Sequence, residues 1–300
     1  MVSQEARKYL QELRKRPAFG DPGNEFNLKG LRQGMGARQA PADPAVQCFG
    51  SEIAGMRCEW VVAPGADPDL RLLYLHGGGY VSGSGANYLP LAADISGAAR
   101  CAVFLPDYRL APEHRFPCAI EDCARAHEWL MGTGPYGPAP AKATFIAGDS
   151  AGGGLTLATL LALRDRRRPL PIAGIPLSAC TDLTLASESV RSEKDPICSA
   201  RSMPFFVDLY LGDADPHNPL ASPVFGDYTG IPPLLIQAGE HEMLRDDSVR
   251  VAARARSYAV EVTLEVWPGM VHVFQIRGLP ESREAVEHIA NFMRSCLARP

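Results

Sequence analysis

Short apolar segments alternate with longer helical patterns along most of this 300-residue chain. The segments predicted as strands are 57–62, 70–75, 102–105, 143–147, 172–177, 234–238 and 262–266. The helical patterns between them lie near 88–99, 117–131, 151–166, 246–258 and 281–298. This alternation is typical of a mostly parallel sheet covered by helices on both faces. We therefore predict an α/β fold.

Two regions depart from the alternation. Residues 3–16 have apolar side chains at helical spacing, and a stretch rich in Gly, Pro, Asn and Gln follows to about residue 44. We predict a helix for the first and a loop for the second. Residues 180–232 contain no convincing strand but include a helical pattern at 203–211. We interpret part of this interval as an insertion into the α/β unit.

Composition and charge exclude several classes of function. The net charge is −4 and the pI is about 6.0, which gives no general attraction to nucleic acid or anionic membranes. The eight cysteines form no C-x-x-C pair and several lie in apolar runs, so we expect buried free thiols. No run of 18 apolar residues occurs and the N-terminus lacks an apolar signal region, so we expect a cytoplasmic protein.

The segment 148–152 reads Gly-Asp-Ser-Ala-Gly and lies between a predicted strand, 143–147, and a predicted helix. A G-x-S-x-G run at a strand-to-helix turn is the context of a nucleophile elbow, in which the serine side chain is exposed on a tight turn. The small neighbours matter because larger side chains would clash with the strand or the helix. We predict Ser150 as a catalytic nucleophile.

A glycine loop precedes this turn in the chain. Residues 76–80 read His-Gly-Gly-Gly-Tyr and follow the predicted strand 70–75 directly. Consecutive glycines let a backbone approach a ligand with exposed N–H groups, as an oxyanion hole requires. The N–H of the residue after the nucleophile, Ala151, is the expected second contributor. His76 is interpreted as a brace for the loop.

A serine nucleophile needs a general base and an acid that orients the base. Among seven histidines, His272 lies just after the last predicted strand, as the chain order serine, acid, histidine requires. Position in the loop 239–247 favours Glu242 as the acid. Asp246 is the reserve candidate, although Asp246 and Asp247 resemble caps of the following helix. No H-E-x-x-H motif supports zinc chemistry.

Together these motifs resemble the bacterial hormone-sensitive-lipase-like esterases, often called family IV, within the α/β-hydrolase fold. The resemblance covers about residues 57–298. It rests on the glycine loop, on Pro-Asp-Tyr-Arg-Leu-Ala-Pro-Glu-His-Arg-Phe-Pro at 106–117, on Gly-Asp-Ser-Ala-Gly-Gly at 148–153, and on the acid and histidine segments. It implies a triad of Ser150, Glu242 and His272.

The resemblance also implies the surroundings of the triad. It implies that the N–H groups of Gly77, Gly78 and Ala151 form the oxyanion hole. It implies a catalytic domain of residues 45–179 and 226–300 and a helical cap of residues 1–44 and 180–225. The expected substrate pocket comprises Tyr80, Asp149, Met203, Phe206, Leu209, Tyr210 and Val273. We expect structural roles for Asp107, Arg109, Glu113 and His114, and loop bracing by Asp149 and Asp182.

The function expected from these features is hydrolysis of short- to medium-chain acyl esters through an acyl-enzyme, with no cofactor and no metal. The partner is a small-molecule ester, and relatives in this family commonly form homodimers. A lactone or aryl ester would suit the same machinery. A non-catalytic receptor of this fold is the rival from another class, and His272 argues against it because such receptors lack the triad histidine.

Overall fold

A computed structural model describes residues 2–16, 18, 27–35, 37–192 and 195–299. In this part of the chain the strands are β1 (Gln47–Ile53), β2 (Met56–Val62), β3 (Asp67–Leu75), β4 (Cys101–Pro106), β5 (Thr133–Gly134), β6 (Gly137–Pro138), β7 (Ala143–Asp149), β8 (Ala173–Leu177), β9 (Leu234–His241) and β10 (Val262–Val271). The α-helices are α1 (Gln4–Leu13), α2 (Leu28–Met35), α3 (Leu89–Ala99), α4 (Cys118–Gly132), α5 (Ala151–Asp165), α6 (Glu188–Ser192), α7 (Met203–Leu211), α8 (Arg245–Ser257) and α9 (Pro280–Leu297).

Eight strands form one sheet in the order β1-β2-β4-β3-β7-β8-β9-β10. The pairs β1–β2 and β2–β4 are antiparallel. The remaining pairs of this sheet are parallel: β4–β3, β3–β7, β7–β8, β8–β9 and β9–β10. The predicted mostly parallel sheet is therefore confirmed. Strands β5 and β6 form a separate short hairpin.

Helices cover both faces of the sheet. On one face, α3 and α9 pack their apolar side chains against the strands, through residues such as Ile95 and Ile289. On the other face, α4, α5 and α8 do so, through residues such as Ile120, Leu157 and Val251. Because both faces are buried, β4, β7 and β8 are nearly continuous apolar runs, as expected for central parallel strands, and the last five residues of β3 are buried although Arg71 is among them.

The structure corrects two predictions of secondary structure. Strand β1 is absent from the predicted set because its sequence is polar and only half-buried; it is held by antiparallel pairing with β2. Helix α2 forms within the stretch predicted as a loop. The Asn27 side chain accepts the Gly30 N–H at 2.9 Å, and Leu28 and Leu31 pack on the core. Residues 17, 19–26 and 36 of that stretch lie outside the described residues.

The carboxyl ends of the parallel strands meet at one edge of the sheet, where β3, β7, β8, β9 and β10 lead into loops. In doubly wound sheets this edge is where ligands bind. In the described part of the chain, no helix combines the length and the apolar character needed to cross a membrane.

Close packing between β3 and α5 depends on Gly152. A Cβ atom at this position would lie far inside van der Waals distance of the carbonyl oxygens of Leu75 and His76, which are fixed backbone atoms. We expect Gly152→Ala to lower the free energy of unfolding by about 1–3 kcal/mol, measured by urea denaturation. The matched control is Gly97→Ala in α3, where the nearest atom to a Cβ is the Ala63 Cβ at 3.8 Å. Equal stability of the two variants would contradict this account.

Candidate active site

Ser150 occupies a strained turn between β7 and α5. Its φ angle is 53°, in the left-handed region that non-glycine residues rarely adopt. Backbone hydrogen bonds hold it there: the Ser150 N–H donates to the Leu177 carbonyl at 2.9 Å, and the Cys180 N–H donates to the Ser150 carbonyl at 3.0 Å. The turn therefore presents the hydroxyl beyond the carboxyl edge of the sheet, as a nucleophile elbow does.

The His272 ring lies beside this hydroxyl. His272 follows the last residue of β10, and its Nε2 is 3.0 Å from the Ser150 Oγ. The ring is almost completely buried. Burial, with a smaller contribution from the positive charge of Arg277, lowers the pKa of His272 to about 3. The ring is therefore neutral near pH 7 and can accept a proton from Ser150.

Glu242 lies behind the ring, fully buried in the loop after β9. Its Oε2 faces the His272 Nδ1 at 4.0 Å without a hydrogen bond, and Nδ1 has no hydrogen-bond partner in the described residues. Burial raises the pKa of Glu242 to about 8, although two hydrogen bonds to the carboxylate oppose the shift. Catalytic hydrogen bonds are often long in the absence of substrate and shorten when it binds.

Ser178 connects the acid to the histidine loop. Its Oγ donates to the Glu242 Oε2 at 2.7 Å and accepts the N–H of Val273 at 3.0 Å, while the Gly239 N–H also donates to Oε2 at 2.9 Å. Sequence reasoning missed Ser178. Its position directly after β8, at the same edge of the sheet as Ser150, was the signal that could have identified it.

The glycine loop requires a correction. The N–H of Gly77, expected to face the substrate, instead donates to the Asp149 Oδ1 and the Tyr88 hydroxyl oxygen, both at 3.1 Å. This group is occupied inside the protein and cannot also bind an oxyanion. Gly78 and Gly79 line the same cavity as Ser150, with φ angles of 124° and 63° that favour glycine.

Asp149 braces the loop, as expected. The hydroxyls of Tyr74 and Tyr88 donate to its two carboxylate oxygens, each at 2.9 Å. Burial raises the pKa of Asp149 to about 6, while these hydrogen bonds oppose the shift. His76 is also buried and stacks on Tyr108 with ring centroids 4.2 Å apart. The structure thus gives His76 the bracing position that the sequence suggested.

A cavity of about 580 Å³ opens onto Ser150 and His272. Five of the seven predicted pocket residues line it: Tyr80, Asp149, Met203, Phe206 and Val273. Leu209 and Tyr210 do not, because they occupy a different side of α7. Tyr210 is buried and stacks on Tyr80 at a centroid distance of 3.9 Å, and Leu209 packs on the hydrophobic core. Sequence reasoning missed the contributions of Leu31 and Met35 from α2.

The two aspartates at the start of α8 are not helix caps. The Asp247 Oδ2 accepts the N–H groups of Thr181 and Asp182 at 2.8 and 2.9 Å, which fixes the loop after β8. Asp246 accepts the Ser189 N–H at 2.9 Å and is bound by Arg245. Since Glu242 faces His272 and the Asp246 carboxylate is engaged elsewhere, the geometry favours Glu242 over Asp246 as the acid.

Ion pairs and hydrogen bonds hold the segment 106–117 in place. Arg109 binds the buried Asp122 carboxylate through two nitrogens at 2.8 and 2.9 Å. Glu113 binds Arg32 of α2, and the Asp107 Oδ1 accepts the Gly85 N–H at 2.7 Å. Asp182 likewise forms an ion pair with Arg250. These contacts agree with structural roles for Asp107, Arg109, Glu113 and Asp182.

Comparison with known proteins gives consistent results. A family described as having the alpha/beta hydrolase fold matches residues 72–276. An acetyl-hydrolase of Streptomyces hygroscopicus is 38% identical over 271 residues, covering 86% of this chain and 89% of that protein. The crystal structure of EstE5 soaked with p-nitrophenyl butyrate is 39% identical, with a TM-score of 0.91 over 99% of this chain and 100% of that chain. A bacterial esterase of the hormone-sensitive lipase family gives 36% identity and a TM-score of 0.86 at the same coverage.

The buried Glu242 generates a prediction about stability. Because its folded-state pKa, about 8, lies above the ordinary 4.5, the folded chain binds this proton more tightly than the unfolded chain. Its contribution to stability is complete below about pH 4.5 and is lost as the pH rises through 8. The side chain introduced by Glu242→Gln does not titrate. The free energy of unfolding of the variant, relative to that of the wild type, should therefore increase as the pH rises from about 4.5 through 8. Urea denaturation at several pH values measures the difference; a difference that does not change with pH would contradict the prediction.

Proposed function

The chain belongs to the α/β-hydrolase family and is a carboxylic-ester hydrolase of the bacterial hormone-sensitive-lipase-like type, and from this premise we propose that Ser150, His272 and Glu242 form its catalytic triad. The observation that carries the proposal is the 3.0 Å distance between the Ser150 Oγ and the Nε2 of a buried, neutral imidazole. A base within hydrogen-bond distance of the hydroxyl is the first requirement for activating a serine.

In the first step, Ser150 attacks the ester carbonyl carbon while His272 accepts the hydroxyl proton at Nε2. The new C–O bond forms as the carbonyl π electrons move to oxygen. When the tetrahedral intermediate collapses, His272 returns the proton to the departing alcohol, which leaves an acyl group on Ser150. Water then repeats the sequence against the acyl-enzyme and releases the acid.

Glu242 acts by supporting the imidazolium that forms in each step. Its Oε2 faces the Nδ1 of His272 at 4.0 Å, and Ser178 holds it in that direction. A cationic ring at this distance favours the ionised carboxyl, so the charges of the pair compensate each other in a buried site. The acid also selects the tautomer in which Nδ1 carries the hydrogen and Nε2 is free to accept a proton.

The oxyanion hole is assigned to the N–H groups of Gly78, Gly79 and Ala151. This set replaces Gly77 with Gly79, because the Gly77 N–H is already donated to Asp149. Ala151 is the first residue of α5, where backbone N–H groups lack partners within the helix and the helix dipole favours negative charge. Removal of one oxyanion donor typically costs about 10²- to 10³-fold in kcat.

The cavity supports short- to medium-chain acyl groups as substrates. Apolar side chains form much of its wall: Leu31, Met35, Leu183, Met203, Phe206, Val207, Met243 and Leu244. We assign residues 1–44 and 180–225 to a cap over the catalytic domain, since α2 and α7 contribute cavity residues above the sheet edge. Lactones and aryl esters remain substrates that the same machinery would accept.

The triad is tested by Ser150→Ala. Removal of the nucleophile should reduce kcat for p-nitrophenyl butyrate by about 10⁴-fold or more, while KM changes little, since the hydroxyl acts mainly in the chemical step. The control is Ser189→Ala, a buried serine that binds the Met243 carbonyl and lies outside the cavity lining. Undiminished hydrolysis by Ser150→Ala would overturn the assignment. Failure of an organophosphate to label wild-type Ser150 would favour a non-catalytic receptor.

Chain-length preference is tested at Phe206. A Cβ atom added to Gly79 would contact the Phe206 ring, so this ring packs directly over the glycine loop. Phe206→Ala should enlarge the cavity there and shift the optimum of kcat/KM in a p-nitrophenyl ester series toward longer acyl chains. Phe205→Ala is the control, because Phe205 lies on the same helix but is 53% exposed. The pocket assignment fails if both variants keep the wild-type optimum.

A further inference from the structure

The cavity wall includes a positively charged side chain that the hydrolytic mechanism does not use. Arg277 lies at the end of the short 3₁₀ helix Phe274–Arg277, five positions after His272, and its side chain lines the cavity together with Ser150 and His272. The side chains of the lining that can carry a charge near neutral pH are those of Arg277, Asp94 and Asp149. The charge of Arg277 therefore faces the space that the substrate occupies.

Arg277 has no anionic partner within the described residues. No carboxylate oxygen of these residues lies within 4.0 Å of its guanidinium, and its buried Nε has no hydrogen-bond partner there. Other arginines near the site are paired, as Arg109 is with Asp122 and Arg250 with Asp182. Arg277 is half-buried and lines the cavity, so its guanidinium is accessible to a ligand that supplies an acceptor.

The nearby carboxyl groups are engaged elsewhere. Asp195, which lies close enough to Arg277 to interact electrostatically, accepts main-chain N–H groups at both oxygens, from Ile197 at 2.7 Å and Met243 at 3.0 Å. Burial also raises the pKa of Asp195. Asp149 binds two tyrosine hydroxyls and a main-chain N–H. Asp94, on α3, lies near the positive charge of Arg283.

The position of Arg277 also opposes catalysis on a neutral substrate. Its positive charge disfavours the imidazolium form of His272, which must appear in each chemical step. A negative group bound to the guanidinium would cancel this effect.

We propose that Arg277 binds a carboxylate or another monoanionic group on the substrate, so that this enzyme prefers esters with a negative charge on the acyl or the alcohol part. The inference rests on the proposed ester hydrolysis at Ser150 and adds the substrate class. A guanidinium can bind a carboxylate through two parallel N–H donors, which gives orientation as well as affinity.

The test compares two para-nitrophenyl esters of similar length, the monoester of adipic acid, which is anionic, and the heptanoate, which is neutral. The measured quantity is the ratio of kcat/KM for the anionic ester to that for the neutral ester. Arg277→Gln should lower this ratio roughly tenfold or more, mainly through KM for the anionic ester, as expected for loss of a hydrogen-bonded charge pair. Arg277→Lys keeps the charge but not the two parallel donors, so it should lower the ratio less than Arg277→Gln does, and the wild-type ratio should decrease with added salt.

A second arm places the anion on the alcohol part, with para-carboxyphenyl butyrate and para-isopropylphenyl butyrate as the pair. The arm in which Arg277→Gln lowers the ratio identifies which part of the ester carries the anion. Arg294→Gln, an exposed arginine on α9, controls for the change in net charge and should keep the wild-type ratios.

The inference is overturned if Arg277→Gln leaves both ratios at their wild-type values, or if Arg277→Lys lowers them as much as Arg277→Gln does. These results are distinguishable from failure of the proposed function. If Ser150 hydrolyses the neutral esters and the ratios do not respond to Arg277, only the substrate class is wrong. If hydrolysis of all four esters survives Ser150→Ala, the triad is wrong as well.

Discussion

The left-handed backbone of Ser150 is the constraint on which the rest of the site depends. A single strained residue is stable here because backbone groups of Leu177, at the end of β8, and of Cys180, in the loop that follows, hold it on one side. On the other side, the preceding residue, Asp149, fixes the glycine loop through the Gly77 N–H. The turn thus joins the ends of β3, β7 and β8. Glycines at 148 and 152 allow this, since any Cβ atom there would meet backbone carbonyls.

Burial then determines the protonation states around the elbow. It lowers the pKa of His272 and raises that of Glu242, so that near neutral pH the base is uncharged and the carboxyl mostly keeps its proton. Ser178 spans the acid and the histidine loop and keeps them aligned. Charge separation arises only when the serine attacks. Arg277 is the exception in this largely neutral surrounding, which is why a charged substrate is proposed for it.

Much of the fold and part of the site could be predicted from sequence because both depend on local patterns. The apolar runs predicted the central strands, and the chain order of Ser150, Glu242 and His272 placed them at one sheet edge.

Gly77 was assigned wrongly because the direction of one N–H depends on a partner, Asp149, that is 72 residues away. Helix α2 was missed because tertiary contacts, including the Arg32–Glu113 ion pair, outweigh its two glycines. Ser178 and Arg277 have no motif, and only the fold shows their neighbours.

The central claim is that Ser150 carries the acyl group during turnover, and trapping that intermediate tests it most directly. The enzyme would be mixed with excess p-nitrophenyl butyrate, quenched in acid within one turnover, digested and analysed by peptide mass spectrometry. The account predicts a butyryl group on Ser150 in the wild type, with a greater yield in Glu242→Gln if deacylation is slowed more than acylation. A butyryl group on another residue, or active hydrolysis with Ser150 unmodified under the same quench, would contradict it.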